Sequence, residues 1–430
     1  MKDIIIYERE EISMLIQFNF KNYSSFMEEA SLDLSATKIT EYNERVVSVG
    51  NEKILPVSAI YGANASGKSN VFNAFKMMTK YVINSLDYGD DVKKFKRNRP
   101  VPFLFDEDSS KGETTFEVYF ILPHDEKERI YNYGFCIDEE GVSEEWLNCK
   151  AKTAREYKDI FYRSKDILDL HGLPKKFIDN IRISLNKQVL VVSLGAKLKV
   201  VQCKEIRDWF LNNRFADYGD AATNFIRSRR LPEGFAENKD VQQKVISYLS
   251  SFDDSIQGFE IEKVPHETDE ERETYKIKTL HKDTKKDELI AIPLALESAG
   301  TLKMFSLYPE MQSALDNGGV FFIDELNARL HPLLVRNFIL TFLNPKINVN
   351  HAQLVFTTHD TWQLSNQLLR RDEIWFTEKD EMGSSHLYSL ADFVDEEGNR
   401  IRKDENYEKN YLIGKYGAIP TLKNIELIED

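Results

Sequence analysis

Three short polar clusters in this chain carry residue types and spacings suited to phosphate chemistry. The first is Gly62-Ala-Asn-Ala-Ser-Gly-Lys-Ser69, a complete GxxxxGK(S/T) pattern. Glycines there let successive backbone N–H groups turn inward around phosphate oxygens, and a helix that follows adds its positive end. Gly62, Asn64, Ala65, Ser66 and Gly67 are expected to form the cradle, with Asn70 in the first turn after it. Lys68 would reach the β- and γ-phosphates and Ser69 would ligate Mg²⁺, so ATP and Mg²⁺ are the ligands the pattern predicts. The second cluster is Asp324-Glu325, two acids at the end of the apolar run Val320–Ile323. A buried strand delivers such carboxylates at its C-terminal edge, where Asp324 would hold Mg²⁺ and Glu325 would act as general base. Alone, the pair could equally end a strand in a solvated acidic turn. The third is Thr357-Thr358-His359-Asp360 after another apolar run. A lone histidine there is usually a capping or surface residue; after the first two clusters, it reads as a γ-phosphate sensor.

These groups need a scaffold that brings them to one edge. Val57–Tyr61 is a short apolar run ahead of Gly62. Beyond the loop, Val71, Phe72, Phe75, Met78 and Val82 recur at helical spacing, so strand, loop and helix follow in order. GGVFFIDEL, a helix over 331–343 begun by His331-Pro332, and QLVFTTHD form a βαβ rhythm, which implies a buried parallel sheet. Residues 115–163 read as an antiparallel meander rich in aromatic and β-branched residues. From 164 to 251 the pattern turns mostly helical with no sustained heptad, a compact insertion and not a coiled-coil arm. The expected organisation is an N-terminal ATPase lobe over 14–163 and a mainly helical insertion with returning strands over 164–285. A C-terminal lobe over 286–392 and a charged, partly ordered surface segment over 393–430 complete it. The fold class expected is α/β: a P-loop ATPase head with an antiparallel β subdomain and a compact helical insertion.

Composition narrows the function classes. With 42% hydrophobic and 12% aromatic residues, the 430-residue chain can bury a sizeable core. A net charge of −14 argues against a general nucleic-acid coat protein and leaves a local basic groove open. Arg227, Arg229 and Arg230 are either a solvated helix face or a patch for nucleic acid or an acidic partner. Arg400, Arg402, Lys403 and Lys409 leave the same choice between a contact surface and a flexible segment. Cys136, Cys149 and Cys203 are scattered, as buried thiols in a reducing compartment would be, and no histidine pair has zinc-ligand spacing. No apolar run nears the ~20 residues that span a bilayer, and Glu8 to Glu11 break any signal peptide. A cytoplasmic protein with no membrane partner is expected.

The order of the clusters resembles that of ABC/SMC-like heads. Such heads close their site with a serine–glycine signature from a second subunit. Glu297-Ser298-Ala299-Gly300-Thr301 resembles that signature, with Ala299 at its first glycine; read by itself, it is a small-residue turn before a helix. Asn327–Pro332 follows the acids where these heads place the loop that couples two sites. FNFKNYSSF at 18–26, GANASGKS, ESAGT, FIDELNARLHP, TTHD, DEIWFTEKD at 372–380 and GKYGAIP at 414–420 together resemble the bacterial AAA-type ABC/OLD-like ATPases. The RloA- and AbiL-type proteins of phage-defence operons belong to that group. The resemblance implies ATP binding, a homodimer or higher homo-oligomer in which Ser298 and Gly300 complete the partner copy's site, and a nuclease or toxin effector as partner. The alternative it leaves is an SMC/RecF-like repair or recombination ATPase acting on DNA. The pattern departs in one further place: no glutamine occurs between Gly62 and Phe120, and Asp106-Glu107 offer acids where the heads carry one.

Overall fold

Strands buried on both faces must lie between two cores, and this chain supplies them. The computed structural model describes residues 12–122, 129–218, 231–265, 273–395 and 398–420, apart from positions 233, 284 and 287. The chain opens with β1 (Met14–Lys21), β2 (Ala30–Asp33), the two-stranded ladder β3 (Val47–Val49) and β4 (Glu52–Ile54), then β5 (Val57–Gly62) and α1 (Lys68–Asp90). α2 (Val92–Asn98) and α3 (Glu107–Lys111) lead to β6 (Thr114–Ile121), β7 (Arg129–Ile137), β8 (Val142–Ala151), β9 (Lys158–Arg163) and β10 (Leu168–Asp169). Next come α4 (Lys175–Ser184), α5 (Val191–Lys197), α6 (Val201–Asn212), β11 (Arg214–Asp217) and α7 (Lys239–Ser250). The rest is β12 (Ile256–Pro265), β13 (Glu273–Lys282), β14 (Leu289–Pro293), α8 (Ala299–Asn317), β15 (Val320–Asp324), α9 (Pro332–Leu343), β16 (Gln353–Thr357), β17 (Ile374–Lys379), β18 (Ser385–Ser389) and α10 (Tyr407–Leu412).

The central sheet runs β11-β15-β16-β5-β17-β18, parallel except for the last strand. β5, β15 and β16 are buried at every position, as their unbroken apolar runs require. Their residues alternate between two cores. Ile60, Phe322 and Val355 join the core that holds α1; Ala59, Phe321, Ile323, Leu354 and Phe356 join the one that holds α8 and α9. On the first face Phe72 of α1 meets Phe322 edge-on at 5.3 Å, a geometry that aromatic quadrupoles favour. The seven-stranded antiparallel sheet β10-β9-β8-β7-β6-β1-β2 covers α1 on its other side, sharing the same core. The meander and the parallel sheet expected from sequence are therefore both present.

The segment after 163 behaves less independently than its composition suggests. Buried Glu145 of β8 accepts hydrogen bonds from the N–H groups of Val191 (2.7 Å) and Val192 (3.1 Å), which fixes the start of α5 against the meander. β11 then joins the parallel sheet, with Asp217 paired beside Asp324. Four residues, RFAD, are too few for a periodic signal. Arg227, Arg229 and Arg230 lie outside the described residues.

The charged tail differs from the expected surface segment. Tyr407, Tyr411 and Tyr416 are buried, and Tyr411 stacks on Phe376 of β17 at 5.4 Å. Its charges sit outward and pair among themselves, as Lys415 does with Glu405 at 2.6 Å. Three tyrosines spaced among many charges anchor the segment, and average composition hides them. Cys136 and Cys203 are buried, and burial pushes both thiols up to about 12, so neither is poised as a nucleophile. Among the described residues no helix is long and apolar enough to cross a membrane.

Candidate active site

The loop between β5 and α1 has a backbone that only glycine accommodates at two points. Gly62 has φ 155° and Gly67 φ 117°. A Cβ on Gly62 would fall 2.5 Å from the Thr377 carbonyl, and one on Gly67 would fall 2.6 Å from Ser385 Oγ. α1 starts without a side-chain cap, and the Asn70 N–H already donates to the Gly67 carbonyl, so the Lys68 and Ser69 N–H groups are the ones left for an anion. Lys68 is 8% exposed and curls over the loop, donating to the carbonyls of Gly62 (2.8 Å) and Ala63 (2.9 Å). Burial lowers its pKa, and the charges of Asp324 and Glu325 act against that. A glycine cradle, an uncapped helix and a buried ammonium together fit a triphosphate. Asn64, Ala65 and Ser69 are exposed at the mouth. Ser66 and Asn70 use their side chains inward: Ser66 Oγ lies 2.6 Å from Thr377 Oγ1, and Asn70 Nδ2 donates to Ser25 Oγ at 2.7 Å.

Asp324 ends β15 two strands from β5. Burial raises its pKa, and hydrogen bonds from Thr357 and Ser69 work against the rise. The Ser69 hydroxyl and the Asp324 carboxylate are two hard oxygen donors close enough to influence one another. Mg²⁺ takes one or two protein oxygens and completes its shell with phosphate and water, so this pair fits it. Among the described residues no cluster of three or more His, Cys, Asp or Glu could hold a metal by itself.

Glu325 takes the left-handed conformation, φ 55°, which costs an ordinary residue on the order of 1 kcal/mol. Its N–H donates to Thr357 Oγ1 at 2.9 Å, while the same hydroxyl donates to Asp324 Oδ1 at 2.5 Å. One threonine thus fixes both acids. His359 is exposed, with Nε2 3.2 Å from Asn327 Nδ2; if Asn327 donates there, the ring is the neutral Nδ1–H tautomer. Asn327 Oδ1 in turn accepts from Thr358 at 2.8 Å, tying the loop after β15 to the loop after β16.

Ser298 caps α8, its Oγ accepting from Thr301 N at 3.1 Å. Ser298 and Ala299 are exposed, and Gly300 lies against the Arg329 carbonyl. α8 packs on the face of the central sheet opposite α1. The structure therefore gathers Lys68, Ser69, Asp324, Glu325 and His359 along one sheet edge, and carries Ser298 and Gly300 on the other face. Asp106, one of the two acids in the stretch without glutamine, is spent capping α3, accepting from the Ser109 N–H at 2.8 Å. Thr357 and Lys303 carry no role in the motif reading, and Asn327 enters it only as the first residue of the loop after the acids. Thr357 stands in the TTHD cluster as a polar residue closing an apolar run. Lys303 leaves no local signal: it reads as one charge in a helix.

Comparison with known proteins follows these geometries. No curated protein matches the chain. Among solved structures, the SMC head domain from Thermotoga maritima is 16% identical, with 87% of this chain and 98% of that chain covered and a TM-score of 0.41. A SmcHead bound to the C-winged helix domain of ScpA is 15% identical, with 87% and 97% covered and a TM-score of 0.39. Residues 57–361, from the strand before the phosphate loop to just past His359, match the family described as "AAA domain, putative AbiEii toxin, Type IV TA system". That span contains every site residue discussed above and most of the chain, and the chain belongs to this AAA-domain P-loop family.

Proposed function

We propose that this protein binds and hydrolyses ATP with Mg²⁺, and that two copies close around the nucleotide. The observation that carries the reading is the shared edge of β5, β15 and β16, where Lys68, Ser69, Asp324 and Glu325 meet. The loop N–H groups and Lys68 bind the phosphates, and Ser69 with Asp324 hold Mg²⁺, which would supply charge neutralisation at the phosphates. Glu325 orients the attacking water and accepts its proton. His359, steadied by Asn327, contacts the γ-phosphate. Ser298 and the N-terminus of α8 offer donors suited to a phosphate, but on the face away from α1; a second copy supplies them most simply.

The biological reading is a regulatory ATPase whose closing and reopening controls a toxin or nuclease effector in antiphage defence. Its support is the family's description, which names a toxin of a type IV toxin–antitoxin system. The experiment pairs Glu325→Gln with the wild type, measuring phosphate release and sedimentation with and without Mg·ATP. Hydrolysis should fall on the order of 1000-fold while an ATP-dependent dimer persists. Wild-type turnover in the variant would remove Glu325 as the base, and a monomer at saturating ATP would remove the two-copy site.

A further inference from the structure

Lys303 stands one turn into α8 and is 5% exposed. Its Nζ donates to the carbonyls of Glu325 (3.2 Å), Leu326 (2.7 Å) and Ala328 (2.8 Å). An ammonium has three donors, and all three converge on one four-residue turn. The face of Tyr218 lies 3.9 Å away, adding a cation–π contact, and the Tyr218 N–H reaches the Asp324 carbonyl at 3.2 Å. Burial lowers the Lys303 pKa to about 7, the Glu325 charge opposing and the Arg329 charge adding to that effect. Burying a cation is costly unless it is well partnered, and this one is partnered by backbone next to the general base.

That turn is held from outside as well as by its own backbone, where the Ala328 N–H donates to the Glu325 carbonyl at 3.1 Å. Glu325 and Arg329 both have left-handed backbone, φ 55° and 61°, so their neighbours' carbonyls cannot be satisfied by a regular helix. The Glu325 N–H donates to Thr357, and the Glu325 carbonyl accepts from Lys303 in addition to the Ala328 N–H, so Lys303 is the side chain that ties this carbonyl to α8. Three residues earlier on the same helix, Gly300 rests against the Arg329 carbonyl. The helix that presents Ser298 outward therefore grips, one turn later, the backbone of its own chain's base.

We infer that Lys303 is a positioning residue that locks the Glu325 turn to the signature helix, so that the general base is set by the helix that meets the second copy. The inference rests on the hydrolysis reading above. Lys303→Met keeps an unbranched side chain one atom shorter and removes its donors. It is expected to lower kcat on the order of 100-fold, as displacement of a reacting group does, with the KM for ATP within about threefold. Because Lys303 acts through Glu325, the double variant with Glu325→Gln should be no slower than Glu325→Gln alone. A folded Lys303→Met with wild-type kcat, a rise confined to KM, or a double variant slower than Glu325→Gln would each overturn it. Should Lys303→Met not fold, Tyr218→Leu removes the aromatic face and leaves the ammonium. It should lower kcat by about threefold or more at unchanged KM, and wild-type kcat there would count against the inference. Wild-type hydrolysis in Glu325→Gln would remove the general base and with it the ground of this inference, whereas a slow Glu325→Gln beside a Lys303→Met of wild-type kcat would overturn the inference alone.

Discussion

The phosphate loop and the N-terminus of α8 are both glycine-bearing entries into a helix, yet their glycines serve different ends. Gly62 and Gly67 have positive φ and no room for a Cβ; the fold demands them. At Gly300 a Cβ would meet the Arg329 carbonyl at 3.4 Å and Ser298 Oγ at 3.8 Å, both ordinary contacts, and its φ is not positive. Around the loop, Ser66, Asn70, Thr377 and Ser385 tie polar groups to one another inside the chain. Ser298 is exposed and bonds only locally, to Thr301. A glycine that the fold does not require, beside an exposed serine at an uncrowded helix start, is one that something outside the chain can approach closely. The loop's glycines are fixed by the chain's own packing and Gly300 is not, and that contrast is what the proposed two-copy site would use.

Alanine at the two positions separates these roles, and it is the largest effect expected in this comparison. Gly67→Ala forces a Cβ against Ser385 at a φ that L-residues avoid, which should cost on the order of 1–3 kcal/mol of stability and most of the nucleotide affinity. Gly300→Ala should leave the melting temperature unchanged or slightly raised, since alanine is the better helix former by up to about 1 kcal/mol. It should nevertheless weaken ATP-dependent dimerisation and lower hydrolysis about tenfold or more by crowding the partner's phosphate. Thermal melts beside sedimentation and turnover measure both. Wild-type turnover in Gly300→Ala would mean the α8 terminus closes nothing.

Thr357→Val sharpens the loop's side of that contrast. It keeps shape in a fully buried strand while removing the hydroxyl that joins Asp324 to the Glu325 N–H. Stranding those two groups should cost about 1–3 kcal/mol, and turnover should drop about tenfold to a hundredfold. Thr357→Ser should retain most of both. If valine leaves kcat unaltered, the acids are held by something other than this threonine.

These residues also mark where sequence reading stops. The phosphate loop was legible because eight consecutive residues carry both the chemistry and the backbone that shapes it. Asp324 and His359 were legible because each ends an apolar run long enough to read as a strand. Thr357 and Lys303 act on partners more than twenty residues away, so no local spacing announces them. β11 is missed for its four-residue length, and the buried tail because Tyr407, Tyr411 and Tyr416 are diluted by charge. Both failures have one cause. A short segment that borrows its stability from a sheet or core made elsewhere needs little pattern of its own.

The smallest expected effect tests how deeply polar groups are built into the loop's side of the molecule. Glu373 directly precedes β17, the strand whose Thr377 braces Ser66, and it is fully buried. Its Oε2 accepts from the Arg370 N–H at 2.8 Å, while Oε1 has no hydrogen-bond partner among the described residues. Burial pushes its pKa up to about 8, against the pull of Arg370 and Arg45. A carboxyl raised in this way binds its proton more tightly folded than unfolded, where the value is about 4.3. Its contribution is therefore fully favourable below about pH 4, declines as pH rises, and levels off once pH passes about 8. Glu373→Gln cannot ionise, so its melting temperature should exceed the wild type's at pH 8 by a few degrees, with the gap narrowing steadily towards pH 5 and closing only near pH 4. The ATP-dependent dimer should show no such divergence between the two proteins, because Glu373 lies inside one chain and the α8 terminus faces out of it. Melting curves that run parallel from pH 5 to pH 8 would show that Glu373 stays ionised throughout, held by Arg370 and Arg45 more strongly than burial opposes.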